Sequence, residues 1–400
     1  MILDSILETK ARAFDPQGEL AKYILYGGGA ESGSGIAVGP DTAMRCATVF
    51  SCVKVLAESV AQLPMILYRR RRDGGKERAT DHPVYPLLHD RPNKWQTSYT
   101  WREQMMTSLC LRGNAPNFVP RVGGRVTEIL PVPVDQVRVS VQNWQPVFTY
   151  RPDTSPRNIP PSEMMYVRGM TLDGIVGVSP ITYIREAVGL ALATERHGSK
   201  VFKNAARPGG VMTVPGKMDP EVKKRNIEAI AENYSGENAF RTMLLEGGVE
   251  WKTTSMTSED AQYLETRKFQ RNEIAGFFRV PPHLVGDLER ATFSNIEQMS
   301  LEFVIYTLMP WLKRIEQEGN VALLTEAERK DYFIEFLVDG LLRGDMASRY
   351  AAYQSGINAG HLTRNEARLT ENRNPLPGLD EPLIPLNTAP VGTIPEGPKP

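Results

Sequence analysis

Two long helical stretches around a small insert constrain the fold more than any other feature of this chain. The first opens at Ser179-Pro180, with Ser179 placed to cap and Pro180 at the first helical position, where no N–H is needed. Ile181, Ile184, Val188 and Leu192 form its apolar stripe, and it runs toward Asn204, before Pro208-Gly209-Gly210. The second begins near Ser258-Glu259-Asp260 and reaches Phe278, where Pro281-Pro282 ends it. Between them lie a strand at Val211 to Val214, a helix opened by Asp219-Pro220-Glu221, and strands near Met243 to Leu245 and Val249 to Thr253. The pattern is two long helices flanking a small α/β insert.

The N-terminal half reads as a compact antiparallel α+β region. Gly27 to Gly35 is rich in Gly and Ser and is expected to be a flexible arm. After Pro40-Asp41, residues Cys46, Val49, Val53, Leu56, Val60 and Leu63 recur on one helical stripe that Pro64 stops. Met65 to Arg70 is expected as a strand, with Asp73-Gly74-Gly75 as its turn. Thr97 or Thr100 caps a helix carrying Trp101, Met105 and Leu109, with Glu103 completing a capping box from Thr100 and Gly113-Asn114 ending it. Short β-rich runs follow at Phe118 to Val122, Val126 to Leu130, Val137 to Val141, Val147 to Tyr150 and Met164 to Val167.

Beyond Pro282, the loop Asp287 to Ser294 leads to a third long helix with Ile296, Met299, Phe303 and Tyr306 on one stripe. Pro310 lies inside that pattern and is expected to kink it, since it removes a backbone donor and crowds the preceding turn. Tyr332, Ile334, Phe336 and Val338 alternate as a strand. Helices are expected at Asp345 to Ser355 and after Thr363, whose capping box closes with Glu366. From Asn374 onward, prolines in a sparse polar context mark a disordered tail.

Chemistry is harder to find. The five histidines are scattered without metal-ligand spacing, and no G-x-S-x-G elbow or phosphate loop occurs, so neither a metal nor a nucleotide cofactor is expected. Gly174-x-x-Gly177-x-Ser179-Pro180 reads as a tight turn feeding a helix. Cys46, Cys52 and Cys110 sit in apolar helical stretches and read as reduced core cysteines. Met1 to Lys10 carries Asp4 and Glu8 and does not resemble a signal peptide, and no apolar run is long enough for a membrane span. Lys plus Arg equals Asp plus Glu at 47 each, which argues against a tight DNA binder, because such affinity comes from phosphate neutralisation. Neutrality is compatible with a channel through which DNA slides. The basic run Arg69 to Arg72, with no aromatic interleaved, reads as a solvated strand end.

Several stretches, in order, resemble the phage portal protein family of the HK97 type, typified by a lambdoid long-tailed phage. They include Val49 to Pro64, His82-Pro83 with Leu87-Leu88 and Pro92-Asn93, Gly113-Asn114-Ala115 and Gly177-x-Ser179-Pro180-Ile181. The most telling is Arg271-Asn272-Glu273-Ile274-Ala275-x-Phe277-Phe278-x-Val280-Pro281-Pro282, followed by Thr292-x-Ser294-Asn295-x-Glu297, Leu342-Arg343-x-Asp345 and Gly360-x-Leu362-Thr363-x-Asn365-Glu366-x-Arg368.

That resemblance implies an α+β portal fold: a flexible arm (1–42), an α+β wing (43–179), stem helix 1 (180–208), a small α/β clip (209–256) and stem helix 2 (257–282). A tunnel loop (283–294), a kinked tunnel helix with a return strand to the wing (295–343), short crown helices (344–374) and a Pro-rich disordered tail (375–400) complete it. It implies a dodecameric ring at one capsid vertex that passes double-stranded DNA without reading its sequence. Its partners would be the major capsid protein, the large terminase subunit and then a head–tail adaptor, in the virion and, during assembly, in the host cytoplasm, with no membrane and no catalytic role. Arg290, Thr292 and Phe293 are expected to face the channel, and Arg267, Lys268 and Arg271 to pair between subunits. The alternatives are another ring-forming head–tail connector component or an enzyme acting on nucleic acid. The latter would need clustered carboxylates or metal ligands.

Overall fold

The computed structural model describes residues 30–72, 75–143, 145–152, 155–203, 210–213, 219–221, 224, 250–253, 258–288, 293–338, 346–371 and 373–383. In chain order come β1 (Ala30–Glu31), β2 (Ala37–Val38), α1 (Pro40–Ala43), α2 (Ala47–Ala61), β3 (Met65–Arg70), β4 (Lys76–Arg78) and α3 (Val84–His89). Next are α4 (Ser98–Arg112), β5 (Asn114–Phe118), β6 (Arg121–Val122), β7 (Arg125–Val126), β8 (Leu130–Pro131) and β9 (Val137–Gln142). Then follow β10 (Gln145–Tyr150), β11 (Arg157–Ile159), β12 (Met164–Arg168), α5 (Pro180–Tyr183), α6 (Arg185–Lys203), β13 (Gly210–Thr213), β14 (Glu250–Thr253) and α7 (Ser258–Phe277). α8 (Phe293–Glu302), a π-helical segment (Phe303–Leu308), α9 (Met309–Leu323), α10 (Glu328–Asp331), β15 (Tyr332–Phe336), α11 (Met346–Asn358) and α12 (Arg364–Thr370) are the last helices and strands among the described residues. The class is α+β, as the patterning predicts.

The chain divides into two compact units. One is drawn from Met1–Lys54, Cys110–Gly113 and Met170–Phe278, the other from Val55–Leu109, Asn114–Gly169 and Arg279–Pro400.

Among the described residues, the second unit contains three antiparallel three-stranded sheets, ordered β15-β3-β4, β12-β5-β8 and β11-β10-β9. β3 is central, pairing Leu67 with Ile334 of β15 on one side and Tyr68 with Arg78 of β4 on the other. Met65, Ile66, Leu67 and Tyr68 are all buried, as an apolar run covered on both faces should be. The short strand β4, Lys-Glu-Arg and fully exposed, carries no apolar signal and is not foreseen by periodicity. Two expected strands are also corrected. The runs Phe118 to Val122 and Val126 to Leu130 are each broken, because Gly123 and Gly124, both at positive φ, close a tight β6–β7 hairpin between them.

α9 lies against β12 and β15. A Cβ on Gly319 would stand 3.3 Å from both Ile334 Cδ1 and Met65 Cε. Buried Glu316 accepts from the Phe336 N–H through Oε1 at 2.9 Å, and Asn320 Oδ1 accepts from the Ile334 N–H at 2.8 Å. Arg168 Nη2 bonds Glu318 Oε1 at 2.6 Å, and Arg314 Nη1 donates to the Gly169 carbonyl at 2.7 Å. Polar side chains of the helix thus satisfy strand-edge groups that would otherwise be buried without partners.

Some caps differ from expectation. α4 begins at Ser98, and its cap is Thr97, whose Oγ1 accepts from the Thr100 N–H at 3.2 Å, so the Thr100–Glu103 box does not form. Ser179 precedes α5, but its hydroxyl donates to the Leu111 carbonyl at 2.9 Å and makes no side-chain cap bond. The helix it opens is also interrupted at Ile184 before α6 resumes. The Thr363–Glu366 capping box is present at α12.

Two stretches expected to be flexible are partly folded. Residues 30–38 form the β1–β2 hairpin of the first unit, with Ile36 and Val38 buried and the Gly33 N–H donating to Glu186 Oε2 at 2.7 Å. In the second unit, Asn365 holds residues 376–380: its Nδ2 donates to the Leu376 carbonyl and to Asp380 Oδ1, both at 2.8 Å, and its Oδ1 accepts from the Leu376 N–H at 2.9 Å. A proline-rich composition signals weak intrinsic order, and it carries no information about a neighbouring side chain that supplies the missing backbone partners.

Candidate functional site

In the first unit, α6 and α7 pair side by side. Tyr263 Oη donates to the Thr194 carbonyl at 3.1 Å, and buried Gln270 donates from Nε2 to Thr194 Oγ1 at 3.2 Å. The approach is close enough that a Cβ on Gly198 would lie 2.2 Å from Tyr263 Oη. Arg267 and Lys268 are exposed on α7 and Arg271 is half-buried. Lys268 and Arg271 stand three residues apart and Arg267 and Arg271 four, so the three cations share one helix face.

The same unit holds the turn between Met170 and Val178. Asp173 Oδ1 accepts from the Thr171 hydroxyl and from the N–H groups of Ile175 and Val176, and Gly174 sits at φ +77°. The acceptor is consumed by its own loop, which makes this a structural turn. The three cysteines are free and buried. Burial first and neighbouring Cys46 second push the Cys52 thiol up to about 12, and burial pushes Cys110 up as well, so neither is a nucleophile at neutral pH. Among the described residues, no group of His, Cys, Asp and Glu is arranged to hold a metal ion, and no helix is long and apolar enough to cross a membrane.

In the second unit, Arg290 and Thr292 of the expected tunnel loop lie outside the described residues. Phe293 is the first residue of α8. Pro310 occupies the first turn of α9, directly after the π-helical segment. π-helical turns widen the backbone ladder and are a recognised cause of helix bending, as proline is. Phe303, Val304, Thr307 and Leu308 of that segment are buried, and Thr307 Oγ1 donates to the Arg279 carbonyl at 2.8 Å. Arg279 itself stands at φ +54°. Sequence reading misses this latch, since neither a π segment nor a non-glycine residue at positive φ has a periodic signature.

Residues 47–372 match the model of the family described as phage portal protein. The chain belongs to the phage portal protein family. It is 35% identical over 409 residues to the probable portal protein of Streptomyces phage phiC31, spanning 97% of this chain and 87% of that one. It is 33% identical over 353 residues to the portal protein of Enterobacteria phage HK97, with 87% and 83% covered. Among solved structures, a chain in the neck of a native gene transfer agent particle computed with C12 symmetry superposes with a TM-score of 0.59 at 24% identity, covering 90% of this chain and 100% of that one. That likeness establishes the fold. Paired helices α6 and α7, strands β13 and β14 between them, and the long α8–α9 helix are therefore portal elements, and the portal family is one of virion structural proteins.

Proposed function

We propose that this portal-family chain forms a closed dodecameric ring at one capsid vertex, through which double-stranded DNA enters during packaging and leaves on ejection. The family match across 47–372 carries the reading. On this reading residues 43–179 with the return strand are the wing that meets the major capsid protein, 180–208 and 257–282 the stem, and 209–256 the clip. The clip docks the large terminase subunit first and the head–tail adaptor after it. Residues 283–294 are the tunnel loop, where Arg290, Thr292 and Phe293 touch the DNA backbone without sequence readout. Residues 295–343 carry the tunnel helix, bent at Pro310, and 344–374 the crown.

The ring is a passive conduit. An ATP-driven partner supplies the work, since the chain carries no nucleotide-binding motif. It assembles in the host cytoplasm and resides in the virion. Formal neutrality suits the role, because a strongly basic wall would hold DNA rather than let it pass.

Light scattering and negative-stain imaging of the purified chain test the proposal. Twelve copies of a 44.6 kDa chain make a cyclic ring of about 535 kDa with a central hole wide enough for duplex DNA. A stable closed dimer, or ATP hydrolysis by the purified chain alone, would refute it.

A further inference from the structure

The channel reading requires only that duplex DNA pass through. A second site of different chemistry lies between α11 and α12, in the second unit. There a cavity of about 390 Å³ is walled by Tyr350 and Tyr353 on one helix and by Arg364, Arg368 and Glu371 with Arg373 on and just beyond the other. Its size falls in the ~300–1,000 Å³ range of small-ligand sites.

The lining combines flat aromatic faces with an excess of cations. The Tyr350 and Tyr353 rings meet edge to face, centroids 6.0 Å apart at 82°, and Tyr350 is 44% exposed. The carboxylate of the wall is already engaged, as Tyr353 Oη donates to Glu371 Oε1 at 2.9 Å, which also fixes the ring. Arg368 Nε donates to the Asn374 carbonyl at 2.9 Å and Arg364 Nη2 to the Gly378 carbonyl at 3.2 Å, so the chain segment beyond α12 holds both guanidinium groups in place. Among the described residues, Arg364 Nε is buried with no hydrogen-bond partner, an unmet donor in the cavity wall. Arg373 is exposed.

We infer that this cavity binds one unpaired nucleotide of a nucleic-acid strand, its base on the Tyr350 ring and its phosphate among Arg364, Arg368 and Arg373. Aromatic faces beside cations are the recurring means of holding single strands, because every base has a stackable face and every linkage a negative charge. The base must be free of its neighbours to stack on tyrosine. The interior of a duplex cannot supply it, and a single strand or an unpaired end can.

The test uses the purified full chain and fluorescence anisotropy with an oligothymidylate of roughly twelve nucleotides, a blunt duplex of the same length, and inorganic phosphate as competitor. The single strand should bind more tightly than the duplex. Tyr350→Ala should weaken it about tenfold and Tyr350→Phe should not, since the stacking face survives. Arg373→Ala should weaken it and flatten its salt dependence. Circular dichroism and particle mass, unchanged in all variants, would show that folding and assembly are intact.

Wild-type affinity in both Tyr350→Ala and Arg373→Ala would overturn the inference. So would phosphate competition with no effect of Tyr350→Ala, which would mean an anion site only, or loss of the ring in Tyr350→Ala, which would make the cavity a contact between subunits. The channel proposal stands or falls on particle mass and the central hole, so the two failures are distinguishable.

Discussion

Arg102 donates from Nε and Nη2 to the carbonyl of Ala61, at 3.2 and 2.9 Å, and its Nη1 reaches the carbonyl of Leu88 at 3.2 Å. Ala61 is the last residue of α2, and Leu88 lies in the last turn of α3. One cation therefore closes two helix C-termini, where the backbone leaves carbonyls unsatisfied and the macrodipole is negative. Its side chain is 4% exposed, and burial lowers its pKa to about 10.

Replacing Arg102 by alanine should destabilise the chain by about 3 kcal/mol, because buried carbonyls lose their donors and a void opens. Arg102→Lys should recover only part, since an ammonium cannot span both helix ends. Urea midpoints of the variants measure this, and an alanine variant within about 0.5 kcal/mol of wild type would exclude the capping role.

Gly113 follows α4 at φ +72°, and a Cβ there would fall 2.0 Å from the Val178 carbonyl oxygen. Gly113→Ala meets both a disfavoured conformation and a backbone clash, and should cost more than about 3 kcal/mol. Gly124→Ala has the same sign of φ, +81°, with nothing within 4 Å, and should cost only about 1–2 kcal/mol. Thermal denaturation of the two variants side by side separates the contributions.

Asn365 is 2% exposed and organises the segment after α12. Asn365→Ala should free it, lowering hydrogen-exchange protection of the Leu376 amide by about tenfold or more, in keeping with the roughly 1–3 kcal/mol of a buried hydrogen-bond set. Unchanged protection would show that the segment is held by other contacts.

Burial alone would push the Glu328 carboxyl up. The Thr325 N–H and hydroxyl, and the His82 ring at 3.2 Å, outweigh burial and hold its pKa below the usual carboxylate value. His82 Nδ1 accepts from the Val84 N–H, which leaves Nε2 to donate to Glu328. A depressed folded pKa stabilises the chain above the unfolded value of about 4.3, and that contribution is lost as pH falls through the folded value. Glu328→Gln should therefore lower Tm at pH 7 and lose less on acidification to pH 3 than wild type does. Parallel pH–Tm curves would refute the assignment.

If the proposed ring forms with Arg267 and Lys268 paired between subunits, charge reversal at both should reduce ring yield, measured by light scattering, because even a surface pair of about 0.5 kcal/mol then recurs at every interface. Arg290→Ala and Phe293→Ala should leave ring mass intact and reduce nuclease-protected DNA in particles. The opposite pattern would exchange the two roles.

The features legible in the sequence are those that depend on near neighbours along the chain. The apolar stripe of α2, the strand Met65–Arg70, the pair α6 and α7 around an insert, and the Thr363–Glu366 box are set by spacing, proline placement and capping chemistry. The tertiary structure decided which distant segments meet. The β3–β15 pairing, the Glu316 bond to the Phe336 N–H, the Gly113 approach to Val178 and the clasp of Asn365 on Leu376 join residues whose encounter no periodicity encodes. The cavity of tyrosines and arginines exists for the same reason. Its residues are unremarkable at their own positions in α11 and α12, and acquire a chemistry only when packing brings the two helices together.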